Sequence, residues 1–513
     1  MSEPAPRPGS PWGLPLGLVL LSLIFLLRGL PALAPPSLWL DDQWVALLAA
    51  QAPWSFLFSA PIPCPPGFAL LEQLARRLLG DADWALQVLP FAAGILTVPL
   101  LGWVTFRLTG ERLLGLAVAT LLAGSPVLAA FSLRVKPFSL DALVATALLN
   151  LAVAGMHRPG VRGLACLCAL AAIAPLLSFP AILVGPPLVA ATGWSVLGAT
   201  ESTGARRRPV VALLVAYAGA LAAAAWLLAG RGNPALFQHW RSFYLPLLEP
   251  ALLPEFLAGA GERFFTLAFP EPLGALALLV PAGIAVLWHR RPTRPLGMAL
   301  AALYVGVAAA SALGRFPVGG GRTDLFSYSV TLLCVAAALA AIPWRPRLVA
   351  GGAALAAIAA LGWTIQDGPV EYPATGAATI VRRAARAIGP GDGLVVYPWS
   401  NWAVAYYGPW PSRLVEVADS TNGYYAELER PHTLVLRESA GGVKFDASPP
   451  GVESQLATWL PGAPEHVHYL ALWGPAAPND WVVRAFRAHG YQPSGGERNQ
   501  GAMWLRWERK GSG

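Results

Sequence analysis

Long apolar stretches separated by short polar breaks fill roughly the first two-thirds of the chain and stop after residue 366. A helix needs about 20 apolar residues to cross a bilayer. On that rule the pattern predicts about 11 membrane helices, near 13 to 33, 84 to 106, 113 to 131, 138 to 156, 162 to 178, 180 to 198, 209 to 229, 272 to 288, 297 to 314, 326 to 343 and 347 to 365. The remainder is of mixed composition and long enough for a small domain. There, Ala377 to Ile388 has helical spacing, Gly393 to Tyr397 and His466 to Leu472 read as strands, Asp480 to His489 as a helix, and Met503 to Trp507 as a final strand. Gly- and Pro-rich stretches such as Ser448-Pro-Pro-Gly451 read as loops. Alternating strands and helices predict a small α/β layer domain. No internal repeat is visible. The expected division is a transmembrane domain over 1–365 and a soluble α/β domain over 366–513.

Composition agrees: 55% of the 513 residues are hydrophobic and only 12% charged, against roughly 25% charged in a soluble domain. The net charge of +8 does not point to nucleic acid, because its excess lies in short loops between apolar segments. Those loops hold Arg107 and Arg112; Arg158 and Arg162; Arg206, Arg207 and Arg208; Arg290, Arg291 and Arg294; and Arg345 and Arg347. Positive loops stay on the cytoplasmic side, which predicts the N-terminus inside and the tail outside. A rival reading takes Ala32-Leu33-Ala34 as a signal-peptide cleavage site, and it leaves the next loop outside as well. The four cysteines show neither a disulfide framework nor zinc spacing, and Cys166-Leu-Cys168 reads as buried packing.

The predicted outer face carries four polar constellations. The first is the adjacent pair Asp41 and Asp42, in Ser37-Leu-Trp-Leu-Asp-Asp-Gln-Trp44. A carboxylate there can act as a general base toward a hydroxyl, or the pair can hold a divalent cation through hard oxygen ligands. Capping of the following helix, Gln43 to Ala50, fits the spacing equally. The second is Phe131-Ser-Leu-Arg-Val-Lys-Pro-Phe-Ser-Leu-Asp141, where Arg134 and Lys136 can pair a lipid phosphate and Asp141 can orient Lys136; snorkelling basic chains at a helix end are the plainer reading. The third, Gly314-Arg-Phe-Pro-Val-Gly-Gly-Gly-Arg-Thr-Asp324, puts Arg315 and Arg322 around glycines that permit close approach to an anion, or is a flexible hairpin. The fourth, Phe237 to Pro246, includes Trp240 and Arg241 and suits an interfacial helix beside a substrate groove, or simple anchoring. In the tail, Tyr397 to Trp402 and Tyr406 to Trp410 are dense in aromatics that suit packing more than sugar stacking.

Taken in order, these runs resemble the GT-C superfamily of membrane glycosyltransferases, and within it the bacterial branch of protein O-mannosyltransferases, the aminoarabinose transferase of lipid A and Rgt-type lipopolysaccharide transferases. Trp39-Leu-Asp-Asp42 is similar to the acidic pair of that family's first external loop, and Pro65-Pro-Gly-Phe68 to the Pro-rich start of the loop's second helix. Arg134, Lys136, Phe138 and Asp141 resemble its basic run, and Arg315 to Arg322 its Gly-Gly-Arg turn. Asp42 stands where Glu is usual, and Phe138 where Tyr is commoner. The resemblance implies transfer of a sugar from a polyprenyl-phosphate carrier to a glycan, lipid or protein acceptor hydroxyl outside the membrane, with inversion. Asp41 would then be the base, Asp42 a positioning or cation-binding group, and Arg134, Lys136, Arg315 and Arg322 the phosphate ligands. Asp141, Trp240 and Arg241 would support them. The alternative class is a transporter or flippase of a lipid-linked substrate, which the nearly pure Leu, Ala, Val and Gly helix interiors argue against.

Overall fold

The structure is a computed structural model that describes residues 13–35, 37–199, 207–229, 233–269, 273–342, 346–366, 372, 376–417, 420–437, 450–472, 479–499 and 501–510. Arg206, Arg345 and the first half of the Ser448–Gly451 loop lie outside the described residues. Seven described helices are long and apolar enough to cross a membrane, which makes the chain a multi-pass membrane protein. They are Gly13–Ala32, Asp83–Thr109, Phe138–His157, Ala181–Ala199, Arg207–Leu228, Arg291–Ala312 and Arg347–Gln366. The stretch expected at 113 to 131 is instead two helices, Arg112–Gly124 and Pro126–Ser132, bent by 58°. Pro126 has no N–H to continue the first helix, and the Ser125 hydroxyl caps the second by accepting from Leu128 N at 3.1 Å. Val161–Leu177, Gly274–His289 and Phe326–Leu339 are shorter apolar helices.

Contacts divide the chain into two compact units that do not follow chain order. One takes the chain up to Ala32, Pro90–Trp226 and Phe243–Glu371; the other takes Leu33–Leu89, Leu227–Ser242 and Tyr372–Gly513. The chain-order helices are α1 (Gly13–Gly29), α2 (Leu40–Gln51), α3 (Trp54–Ser59), α4 (Pro66–Leu79), α5 (Asp83–Thr109), α6 (Arg112–Gly124), α7 (Pro126–Ser132), α8 (Phe138–His157), α9 (Val161–Leu177) and α10 (Ala181–Ala199). In the membrane unit, α8 packs against α9, α10 and the Phe326–Leu339 helix, with the hydroxyls of Thr146 and Ser329 bonded between them. Cys168 is buried on α9, but Cys166 is exposed: two positions apart on a helix are about 200° apart around it, so only one of the pair reaches the core.

The second unit carries a five-stranded sheet in the order β4-β1-β5-β7-β6, made of β1 (Gly393–Val396), β4 (Thr433–Val435), β5 (His466–Ala471), β6 (Tyr491–Asn499) and β7 (Ala502–Arg509). A separate hairpin pairs β2 (Ser412–Glu416) with β3 (Tyr424–Leu428). Strand β1 runs parallel to β4 and β5, while β7 is antiparallel to β5 and β6. Side chains alternate across a strand, so Leu394 and Val396 face Ile380, Val381 and Ala384 of the Ala377–Ala387 helix, while Val395 faces Leu456, Val482 and Phe486 on the other side. The result is the layered α/β arrangement expected of the tail.

Candidate functional site

Helix α2 opens with Trp39 as its N-cap residue, and no side chain caps it. Asp41 and Asp42 therefore lie inside the first turn, where the helix dipole favours anions, and the capping reading of the pair falls away. Asp41 is partly exposed, whereas Asp42 is wholly buried. Tyr372 donates its hydroxyl hydrogen to Asp42 Oδ2 at 2.5 Å, and its own hydroxyl oxygen accepts from Trp39 N at 2.9 Å. Gln43 holds the turn from within by donating to Leu38 O at 2.6 Å.

Two more tyrosines of the tail grip the same loop. Tyr407 donates to Asp83 Oδ2 at 2.8 Å and accepts from Leu38 N at 2.7 Å, and Tyr406 donates to Asp83 Oδ1 at 3.0 Å. Tyr424 donates to Trp44 O at 2.5 Å, and burial holds its phenol well above the usual range. These hydroxyl bonds tie the tail to the loop. The tail aromatics thus serve packing: Trp402 is buried and stacked on Tyr425, with centroids 5.9 Å apart. Asn233, at the start of the short Pro234–His239 helix, ties Pro61 O (3.4 Å) to Ser420 O (2.8 Å) and Thr421 O (3.2 Å). Trp240, half-buried, and Arg241, exposed, follow that helix.

Glu72 was not singled out by the sequence pattern. It lies on α4 with Phe68 and Ala69 on the buried face, and it is fully buried. Burial first, and the Asp42 charge second, push its carboxyl well above the usual range. The available signal was a single acid one turn beyond Phe68, at an apolar position of the helical repeat. Among the described residues no group of three or more His, Cys, Asp or Glu converges as a metal site, so the acid pair has no third ligand of those types.

In the membrane unit, Arg134 and Lys136 occupy the tight turn between α7 and α8, with Lys136 N bonded to Arg134 O at 2.7 Å. They are 7% and 5% exposed, so both are drawn into the protein and do not snorkel outward. Asp141 is buried in the first turn of α8. The glycine-rich turn closes on itself. Gly319, at φ 76°, lies so close to Ala260 that a Cβ would come within 2.1 Å of its carbonyl oxygen. Gly321 N donates to Asp324 Oδ2 at 3.2 Å, and burial pushes the Asp324 carboxyl up to about 7 against the pull of those turn amides and Arg263. The close approach that glycine permits is thus to the chain's own backbone. Arg315 is exposed and Arg322 half-buried on either side.

The chain thus combines membrane helices with a small sheet-containing unit. Two solved structures share this fold over nearly their whole length: ArnT from Cupriavidus metallidurans in the apo state, with a TM-score of 0.54 and 14% identity over 96% of this chain and 97% of that one; and ArnT from the same organism bound to undecaprenyl phosphate, with a TM-score of 0.53 and 15% identity over 97% and 98%. No family model and no curated protein sequence matches the chain. At such identity the likeness establishes the fold, and the roles of residues rest on their own chemistry.

Proposed function

We propose that the chain is an integral-membrane glycosyltransferase that moves a sugar from a polyprenyl-phosphate carrier to an acceptor hydroxyl on the outer face of the bacterial inner membrane. The observation that carries this reading is the built acid site: Asp42 is buried and held by Tyr372, with Asp41 beside it and accessible, in a chain with the fold of a protein solved with undecaprenyl phosphate bound. A buried charge is expensive, and a helix cap needs none of this support. Asp41, the more accessible acid, removes the proton of the acceptor hydroxyl as its oxygen attacks the anomeric carbon. The carrier phosphate leaves from the opposite side, which inverts that carbon. Arg134, Lys136, Arg315 and Arg322 neutralise the departing phosphate, with Asp141, Trp240 and Arg241 in support.

A general base supplies about 10²- to 10⁴-fold. Asp41→Asn should therefore lower kcat by about 10²-fold or more for purified protein supplied with a polyprenyl-phosphate sugar and an acceptor extract. Turnover at the wild-type rate would remove Asp41 from the base role. Movement of the intact lipid-linked sugar across vesicles, without transfer, would replace the enzyme reading with a transporter.

A further inference from the structure

In the membrane unit the Val280–His289 and Arg294–Ala312 helices pack together as a hairpin, and one face of it is open. Val280, Gly283 and Leu287, at helical spacing, are buried, and a Cβ on Gly283 would meet the backbone of Cys334 in the Phe326–Leu339 helix. Pro281, Ile284, Ala285 and Trp288 form the adjacent stripe, at i, i+3, i+4 and i+7, and none of them is buried. That stripe walls a cavity of about 470 Å³, with Phe265, Ala301 and Tyr304 on the other side. The Tyr304 hydroxyl is engaged by Thr331 Oγ1 at 3.2 Å, and its ring lies 5.7 Å from that of Phe265, so this wall is hydrocarbon and aromatic carbon.

Trp288 and His289 mark one end of the cavity, and there the chain turns through Arg290, Arg291 and Arg294, all exposed. Pro292 and Pro295 stiffen the turn, and Thr293 Oγ1 closes it by donating to Leu287 O at 3.0 Å. Arg294 Nε donates to Trp288 O at 3.1 Å, which holds the guanidinium beside a cavity residue and uses one of its five N–H donors. No Asp or Glu occurs between Glu271 and Asp324, so the sequence supplies no local counter-charge. The apolar groove by itself selects no lipid, because a tail that enters it exchanges one hydrocarbon surrounding for another. The arginines do select, for a headgroup of negative charge. A ligand that matches both parts carries a hydrocarbon chain and an anionic head together.

We propose that this groove is a binding site for an anionic phospholipid of the membrane leaflet on the arginine-bearing side. One acyl chain lies against Ile284, Ala285 and Tyr304, and the phosphate meets Arg290, Arg291 and Arg294. The polyprenyl-phosphate carrier is the poorer match, because the charge rule puts the arginine-bearing breaks on the side of the membrane opposite to the proposed transfer. The site is independent of the transferase reading, since no residue assigned there to catalysis or to the donor phosphate takes part. Each arginine near the headgroup contributes about a fivefold preference for the anionic lipid.

The test uses the full-length protein in a neutral detergent, with dioleoyl lipids that differ only in headgroup and native mass spectrometry to count the lipid retained. One phosphatidylglycerol should be retained saturably and favoured over phosphatidylcholine by at least about fivefold. Arg290→Gln, Arg291→Gln and Arg294→Gln together should erase that preference. Ala285→Phe with Ala301→Phe fills the groove from two small residues and should abolish retention with the arginines intact. Equal retention of the two lipids by the wild type, or undiminished phosphatidylglycerol binding in the filled variant, would overturn the proposal. Preferential retention of undecaprenyl phosphate when both are offered gives the groove to the carrier and overturns it as well. A second reading does not depend on the filled variant folding: phosphatidylglycerol brominated on its chains should quench a saturable part of the tryptophan fluorescence that Trp288→Phe lacks. Quenching of the same extent in both proteins places the chain away from Trp288 and defeats the assignment.

Discussion

Tyr372 shows how much one side chain can decide. Its hydroxyl is at once donor to Asp42 Oδ2 and acceptor from Trp39 N, so it fixes both an acid and the start of the helix that presents it. Tyr372→Phe removes both bonds while conserving the ring. A hydrogen bond to a charged group is worth about 1.5–3 kcal/mol, so kcat should fall by about 10- to 100-fold with KM little altered. Steady-state kinetics on purified protein would show this, and an unchanged kcat would mean that Asp42 needs no such restraint. Nothing around Tyr372 in the sequence marks it, because its partner is 330 residues away and the contact exists only after folding.

Among the elements, the glycine-rich turn before the Phe326–Leu339 helix is the clearest case of an anion-site pattern filled from within. The close approach is taken by Ala260, and the Gly321 amide is turned on Asp324. Burial raises that carboxyl from 3.8 to about 7, so its protonated form is the one folding favours. The stability it contributes is complete below about pH 4 and is lost as pH rises through about 7. Tm measured across that window should fall with rising pH in the wild type and flatten in Asp324→Asn. A parallel slope in both proteins would assign the pH dependence elsewhere. Helix α2 teaches the complementary lesson. Its position was readable from Gln43 onward, but the start moved back to Leu40, which took both aspartates from the cap into the first turn.

At the scale of the molecule, the sheet-containing tail and the first polar loop belong to one compact unit. Tyr372, Tyr407 and Tyr424 all bond to residues 38–44. Removing everything from Tyr372 onward should therefore abolish transfer, and Tyr407→Phe with Tyr424→Phe should weaken it while the tail remains. Full activity in the truncated chain would show that the loop holds its shape alone. The apolar runs, their arginine-bearing breaks and the strand and helix signals of the tail were legible because each depends on short-range periodicity. Hydrophobicity with a period of 3.6 or 2 has local meaning wherever it occurs. The sequence by itself thus determined the multi-pass membrane character, the sheet-containing tail and the choice of candidate acids. Only the tertiary structure decided that Asp42 is buried, that tail tyrosines hold its loop, that Glu72 is buried and that the glycine turn binds its own aspartate. Burial and hydrogen bonding between residues hundreds of positions apart leave no period in a sequence.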